Sequence, residues 1–115
     1  MRFLGRKSGP ELANWVASSS ALIYVSYFEG FGLPVLEGML SGVPVVTSNL
    51  TSIPEVGGDS VIYVDPFNED SITTGMEKAM ENNQELIKKA LLQAKKFSWD
   101  ISALKVKDLL LNAKN

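Results

Sequence analysis

The sequence predicts an α/β fold built on a parallel β-sheet. Three short apolar runs are rich in β-branched residues and lack the polar alternation of a sheet with one solvated face, which is typical of parallel strands covered on both faces. A turn and a segment of helical periodicity follow each run, and such alternation favours βαβ units with right-handed crossovers. The three predicted strands are residues 21–25, 43–46 and 61–64.

A fourth, weaker strand is predicted over residues 2–4, before the first helix. In that helix Ser8 and Glu11 have the spacing of a capping box, and a proline lies in the first turn, where its missing N–H costs little. Further along, Pro34 begins a helix and Gly42 follows its end as a C-terminal cap. The remaining predicted helices cover residues 52–57, 69–80, 84–96 and 100–111.

Length and composition indicate a single compact domain, residues 1–115, with 45% apolar residues and a formal net charge of -2. A chain of this length buries roughly two thirds of its unfolded surface, which suffices for one core and not for two lobes with a cleft between them. Cysteine and histidine are both absent from the sequence. Their absence excludes disulfides, thiolate nucleophiles and cysteine-rich zinc sites, and removes the commonest general base, so any chemistry must rest on carboxylates and backbone groups.

The sequence contains no apolar segment with the length of a secretion signal or of a membrane-spanning helix. Together with the lack of cysteine, this favours a soluble protein in the reducing cytoplasm. Residues 86–115 carry seven basic against two acidic groups, a balance that suits anionic lipid or nucleic acid. Because these lysines are spread along helical sequence, we interpret them as a solvated face with no nucleic-acid partner. Peripheral membrane association is kept as an alternative for a full-length enzyme.

The segment EGFGLPVLE, from Glu29 to Glu37, lies directly between a predicted strand and a predicted helix. Gly30 and Gly32 let the chain turn sharply and let a ligand approach the backbone. The amides around Phe31, Gly32 and Leu33 precede the N-terminus of the helix, where backbone N–H groups and the helix dipole favour anions. This pattern predicts an anion-binding site.

The two glutamates are expected to border one pocket at the carboxyl end of the sheet, where open α/β sheets bind ligands. Glu37 can accept hydrogen bonds from two vicinal hydroxyls, which is how an acidic residue recognises ribose. Phosphate would repel Glu29, which is therefore assigned to sugar hydroxyls. The alternative is a tight turn without a ligand, but two glutamates that enclose Gly-Phe-Gly-Leu-Pro after a buried strand make it the weaker interpretation.

Aromatic and polar residues around the motif are weaker candidates. Tyr27, Phe28 and Phe31 can stack on a base or a sugar, whereas Tyr24 lies inside a buried-strand pattern and is predicted to be part of the core. Residues 47–49 follow a strand at its carboxyl end, so they either line the pocket or are simply a polar loop.

The segment from Glu29 to Glu37 resembles the E-x7-E signature of the large retaining GT-B family known as group-one glycosyltransferases. The downstream GVPVVTSNLTSIPEVGGDSVIYVDP, residues 42–66, and FSW, residues 97–99, are similar to sequences that follow the signature in that family. The resemblance covers nearly the whole chain. It implies a Rossmann-like parallel sheet that forms the second half of the C-terminal, nucleotide-sugar-binding domain.

The resemblance also implies roles for the site residues. Glu29 would contact the donor sugar and orient the reacting centre, Glu37 would hold the ribose hydroxyls, and the amides of residues 30–33 would contact sugar and phosphate. The implied reaction transfers a sugar, with retention, from a nucleotide diphosphate sugar to an acceptor hydroxyl, without a bound metal or a further cofactor. The helix N-terminus and basic side chains would stabilise the departing diphosphate.

The chain also departs from that family's pattern. The acceptor-binding N-terminal domain is not present, and neither are the Arg and Lys that grip the diphosphate, since Arg2, Arg6 and Lys7 lie in a segment that resembles a different part of the fold. We therefore expect the isolated chain to be inactive. A non-catalytic nucleotide-sugar-binding module and an assembly module are the alternative functions.

Topology predicts an open sheet edge. In the doubly wound strand order, residues 2–4 and residues 21–25 are not neighbours, and the two strands between them are missing. The strand at residues 21–25 carries no charge or proline that would protect its edge. We expect the isolated chain to form a homo-oligomer, through the same strand of a second copy or through an exchanged segment that carries Phe3 and Leu4.

Overall fold

The computed structural model describes residues 1–113, which form three strands and six helices. The strands are β1 (Leu22–Tyr24), β2 (Val45–Ser48) and β3 (Ile62–Val64). The helices are α1 (Gly9–Ala17), α2 (Leu33–Leu40), α3 (Ile53–Gly57), α4 (Glu69–Ala79), α5 (Gln84–Ala94) and α6 (Trp99–Asn112). The predicted α/β fold is confirmed. Strand β2 begins later than predicted, directly after Pro44, which has no N–H to donate to a neighbouring strand.

All three strands are parallel and lie side by side in the order β1-β2-β3. Near the carboxyl end of the sheet, Tyr24, Thr47 and Tyr63 form one row across the strands, because Thr47 pairs with both tyrosines. Helix α2 connects β1 to β2, and α3 connects β2 to β3. The loops that leave the three strands therefore meet at one edge of a Rossmann-like sheet.

Helices cover the sheet on both faces. On one face, buried apolar residues of β2, α2, α3 and α5 form the larger core: Val35, Leu36, Met39, Val45, Ile53, Val56, Ala90 and Ala94. On the other face, Val46 and Val64 pack against Ala79 of α4. Two covered faces explain why the strand sequences are apolar without alternation.

Helix α2 lies very close to the sheet at Gly38. A Cβ atom at this position would come within 2.7 Å of both Leu22 Cδ2 and Val45 Cγ2. The helix ends as predicted, with Gly42 in the left-handed region at φ +71° and its N–H donating to the carbonyl of Met39. The packing of α2 against the sheet and the position where the helix ends are thus fixed.

Residues 2–4 do not form a strand, and that prediction was wrong. A strand needs a neighbour to satisfy its backbone groups, and within residues 1–113 the sheet ends at β1. Phe3 is 86% exposed. The guanidinium of Arg2 instead lies 6.0 Å from the centre of the Trp15 ring on α1.

Helices α1 and α6 lie at the periphery, since neither contains a buried residue. Helix α1 begins after Ser8, whose backbone N–H and hydroxyl both donate to the carboxylate of Glu11, at 3.0 and 2.8 Å. Helix α6 exposes large apolar side chains, among them Trp99 and Leu109. Within residues 1–113, none of the helices combines the length and the apolar character needed to span a bilayer.

Candidate functional site

The segment from Glu29 to Leu33 leads from β1 into α2 at the carboxyl end of the sheet. Gly32 is the N-cap of α2 and has φ +95°, in the left-handed region that favours glycine. A Cβ atom at Gly32 would also lie 2.7 Å from Cδ1 of Ile53. The predicted sharp turn is confirmed at Gly32, where only glycine fits without strain.

The backbone amides of residues 30–33, at the start of α2, are not used in hydrogen bonds within the described residues, and the residues that carry them are exposed except for the buried Gly32. The N–H groups of Val35 and Leu36 both donate to the carbonyl of Gly32, at 3.0 and 3.3 Å. The amides of residues 30–33 have no hydrogen-bond partner within the described part of the chain. A Cβ atom at Gly30 would meet nothing within 4 Å, so this backbone is accessible from outside. Open N–H groups at a helix N-terminus are what an anion such as phosphate requires.

Glu29 is half-buried and held at three points. Its carboxylate accepts a hydrogen bond of 2.5 Å from the hydroxyl of Tyr24. Its backbone N–H donates to Oγ1 of Thr51 at 3.1 Å, and its carbonyl accepts from the hydroxyl of Ser52 at 2.8 Å. The end of β1 and the loop between β2 and α3 therefore fix this glutamate together.

Tyr24 belongs to the core and to the site at once. Its ring packs against the larger core, as predicted for a residue in a buried strand. Its hydroxyl, however, reaches Glu29, and this hydrogen bond, followed by burial, raises the pKa of Tyr24 above 10.0. The phenol thus stays neutral at physiological pH and remains a donor to the carboxylate. The apolar pattern of the strand gave no signal of this second role.

Thr51 has an uncommon backbone conformation. Its φ is +53°, and it is the one non-glycine residue of the described chain in the left-handed region. A β-branched residue there costs on the order of 1–3 kcal/mol and persists only when its surroundings hold it. Here the residue places its hydroxyl at the N–H of Glu29. Sequence analysis missed Thr51 and Ser52, because contacts 22 and 23 residues away leave no local pattern.

Glu37 lies about one helical turn inside α2 and is exposed. No hydrogen bond within residues 1–113 engages its carboxylate, and none joins it to Glu29. The structure therefore shows the two carboxylates in different surroundings, with that of Glu29 half-buried and that of Glu37 exposed. The pocket between the two glutamates stays a prediction.

The aromatic residues near the motif have different surroundings. The ring of Tyr27 stacks at 4.9 Å on Phe67, which lies in the loop after β3. The ring of Phe31 meets Phe97 edge to face at 5.7 Å. Phe28 is 78% exposed. Tyr27, Phe28 and Phe31 thus all remain accessible to a ligand, although two of them already contact another ring.

The polar residues at the end of β2 are structural. Thr47 and Ser48 are fully buried, and the hydroxyl of Ser48 donates to the carbonyl of Ser26 at 2.6 Å. The hydroxyl of Thr47 has no partner in the described chain. Of the three residues 47–49, only Asn49 is exposed, so the first two do not line an open pocket.

Metal-binding groups are not clustered in the described residues. Within residues 1–113, three or more carboxylates do not come together in a group that could hold a metal ion. The segment from Glu29 to Glu37 also carries no basic side chain. Within this segment, positive charge therefore comes only from the backbone dipoles.

Several known glycosyltransferases are similar to this chain in sequence. O-antigen chain mannosyltransferase B of Escherichia coli is 40% identical over 103 residues, which cover 87% of this chain and 27% of that protein. Serotype-specific mannosyltransferase WbdA of Escherichia coli is 42% identical over 80 residues, 67% of this chain and 10% of that protein. MMP alpha-(1->4)-mannosyltransferase of Mycolicibacterium hassiacum is 35% identical over 82 residues, 69% of this chain and 20% of that protein.

The chain thus spans about a quarter or less of the length of these relatives. The sequence pattern of the family described as glycosyl transferases group 1 matches residues 1–97, which include all three strands and the whole Glu29 to Glu37 segment. The match covers far more than half of the chain. This chain belongs to the group 1 glycosyl transferases.

Proposed function

We propose that this chain forms the donor-binding part of a retaining glycosyltransferase that transfers a sugar from a nucleotide diphosphate sugar to an acceptor hydroxyl. The observation that carries the proposal is the row of amides at residues 30–33 that have no hydrogen-bond partner in the described chain, directly beside the fixed carboxylate of Glu29. Backbone N–H groups suit a diphosphate, whereas a carboxylate suits sugar hydroxyls. The amides and the carboxylate are adjacent in this chain, just as the diphosphate and the sugar are adjacent in a nucleotide diphosphate sugar.

Each site residue has one role in this proposal. Glu29 is the catalytic residue that touches the donor sugar, and the amides of Gly30, Phe31, Gly32 and Leu33 bind sugar and phosphate oxygens. The exposed carboxylate further along α2, that of Glu37, accepts hydrogen bonds from the two ribose hydroxyls. The proposal includes no metal, no further cofactor and no nucleic-acid partner.

The reaction builds negative charge on the departing diphosphate. The amides before α2 and the helix dipole point at that charge and stabilise it more in the transition state than in the bound donor. The segment has no basic side chain, so the remaining charge must be neutralised by groups outside it.

Mannose is the donor sugar that we propose, because three relatives are named mannosyltransferases. The acceptor is a hydroxyl compound whose class is not assigned. A non-catalytic nucleotide-sugar-binding module is the second candidate, and it is favoured by the lack of a basic side chain between Glu29 and Glu37 that would stabilise a departing diphosphate.

A heteronuclear NMR titration of the chain with GDP-mannose tests donor binding. We expect shifts at the amides of residues 30–33 and at Glu37, with α6 unaffected. Binding should be weak, because residues 29–37 offer no basic side chain to the diphosphate, and two charge-assisted contacts, each worth roughly 1.5–3 kcal/mol, would account for on the order of a hundredfold or more in affinity. UDP-glucose serves as a comparison donor, and Glu85→Gln on α5 serves as a distant control variant.

Two outcomes would contradict the proposal. Spectra that do not change at millimolar GDP-mannose or UDP-glucose would exclude a donor site on this surface. Shifts centred away from the α2 N-terminus would place the site elsewhere. A hybrid enzyme, in which this chain replaces the matched segment of O-antigen chain mannosyltransferase B, separates the two candidates: turnover supports a catalytic role, and donor binding without turnover supports a binding module.

A further inference from the structure

Glu29 is fixed by groups that come from two different strands and their loops. The Tyr24 hydroxyl at the end of β1 donates to its carboxylate, at 2.5 Å. Thr51, in the loop after β2, accepts the hydrogen bond from its backbone N–H at 3.1 Å. One contact orients the side chain and the other orients the backbone that carries it.

The Thr51 contact is maintained in spite of an unfavourable backbone conformation. Its φ of +53° lies where glycine is favoured and a β-branched residue is strained. Strain of this kind persists where the rest of the structure enforces it, and it is concentrated at functional sites. The hydroxyl of the neighbouring Ser52 donates to the carbonyl of Glu29 at 2.8 Å. The strained loop therefore binds both the N–H and the carbonyl of Glu29.

We infer that Tyr24 and Thr51 are positioning residues that hold Glu29 in the orientation needed for sugar transfer. This inference rests on the proposed function of Glu29. A carboxylate that stabilises a reacting sugar must be held within a few tenths of an ångström, and groups that restrict its rotamer contribute to turnover without touching substrate. Neither residue needs to contact the donor, so both should act on turnover more than on donor affinity.

The test uses the hybrid enzyme described above. Tyr24→Phe removes only the hydroxyl, and Thr51→Gly removes the hydroxyl while it relieves the left-handed strain. We expect each variant to lower kcat about tenfold, as the loss of one charge-assisted or backbone hydrogen bond predicts, with KM for GDP-mannose within about twofold. Thr51→Ser keeps the hydroxyl and should retain kcat.

A matched control variant tests whether a lower kcat comes from a general disturbance of the fold. Tyr63→Phe removes a hydroxyl from the same row of the sheet, one that donates to the carbonyl of Gly58 and not to Glu29. We expect this variant to keep kcat. Thr51→Gly should melt no lower than the parent protein, because the strain is released. A lower kcat together with unchanged or higher stability is a result that a merely structural role would not produce.

The outcomes distinguish this inference from the proposed function. If Glu29→Gln leaves turnover unchanged, the proposed role of Glu29 fails. If Glu29→Gln abolishes turnover while Tyr24→Phe and Thr51→Gly keep kcat, the positioning role alone is overturned. Should the hybrid not fold, amide exchange in the chain itself decides: the Glu29 N–H should exchange several-fold faster in Thr51→Gly than in Thr51→Ser, and equal rates would overturn the inference.

Discussion

The hydroxyl of Tyr24, at the end of β1, donates a hydrogen bond to Oε1 of Glu29, the first residue of the E-x7-E segment. The bond joins a side chain packed against the core to a half-buried carboxylate. Because a carboxylate acceptor favours the protonated phenol, the pKa of Tyr24 is raised above 10.0, with burial as the second cause.

The Tyr24 pKa makes this contact measurable by pH titration. Since the folded-state pKa lies above 10.0, the contribution of the contact to stability is fully present below pH 10.0 and is lost as the pH rises through the folded pKa. Glu29→Ala should lower the pKa of Tyr24 toward its ordinary value, as followed by NMR of the tyrosine ring carbons. Tyr63, whose pKa burial and Asp59 raise, should titrate unchanged. A wild-type Tyr24 that ionises at its ordinary pKa would argue against the contact.

Substitution by alanine should change protein stability differently at the two glycines of the motif, Gly30 and Gly32. Gly32→Ala places a Cβ at φ +95° and 2.7 Å from Ile53, so we expect it to lower the free energy of unfolding by about 1–3 kcal/mol. The Cβ of Gly30→Ala meets no atom within 4 Å, so the free energy of unfolding should stay within about 0.5 kcal/mol of the wild-type value. The same variant should weaken GDP-mannose binding at the exposed backbone. Urea unfolding measures both variants. Equal stability of the two would contradict the turn geometry.

The open edge of β1 should cause the chain to self-associate. Leu22 uses its N–H toward β2, so the backbone groups of Ile23 face the open side, and its side chain is 38% exposed. The carbonyl of Ala21 already accepts from Ser19, which leaves Ile23 as the centre of the edge. We expect sedimentation to show oligomers that Ile23→Lys dissociates, since a charge on an edge strand opposes pairing. A wild-type monomer at high concentration would exclude this association.

Local signals account for most of what could be predicted from the sequence. Apolar runs without polar alternation predicted the three strands, and Gly42 predicted the end of α2. Both signals are local, because strand burial and helix caps depend on a few neighbouring residues. The glycines of the motif located the turn for the same reason. Residues 2–4 failed as a strand because an apolar triplet carries no information about whether a neighbouring strand is available.

Long-range contacts account for what could not be predicted. The hydroxyl of Thr51 meets Glu29 across 22 positions, and the left-handed φ of that threonine contradicts its own intrinsic preference. The burial of Thr47 and Ser48 is set by the packing of helices on both faces of the sheet, and no local pattern separates them from the exposed Asn49.

Steady-state kinetics of the two glutamine variants in the hybrid enzyme test whether Glu29 acts on the reacting sugar and Glu37 on the nucleotide. Glu29→Gln should lower kcat by a hundredfold or more, because the loss of one transition-state contact costs roughly 2.7–4 kcal/mol. The KM for GDP-mannose should change little. Glu37→Gln should mainly raise that KM, by about tenfold, since one charge-assisted contact to ribose is weakened. Near-wild-type kinetics for both variants would exclude these roles for Glu29 and Glu37.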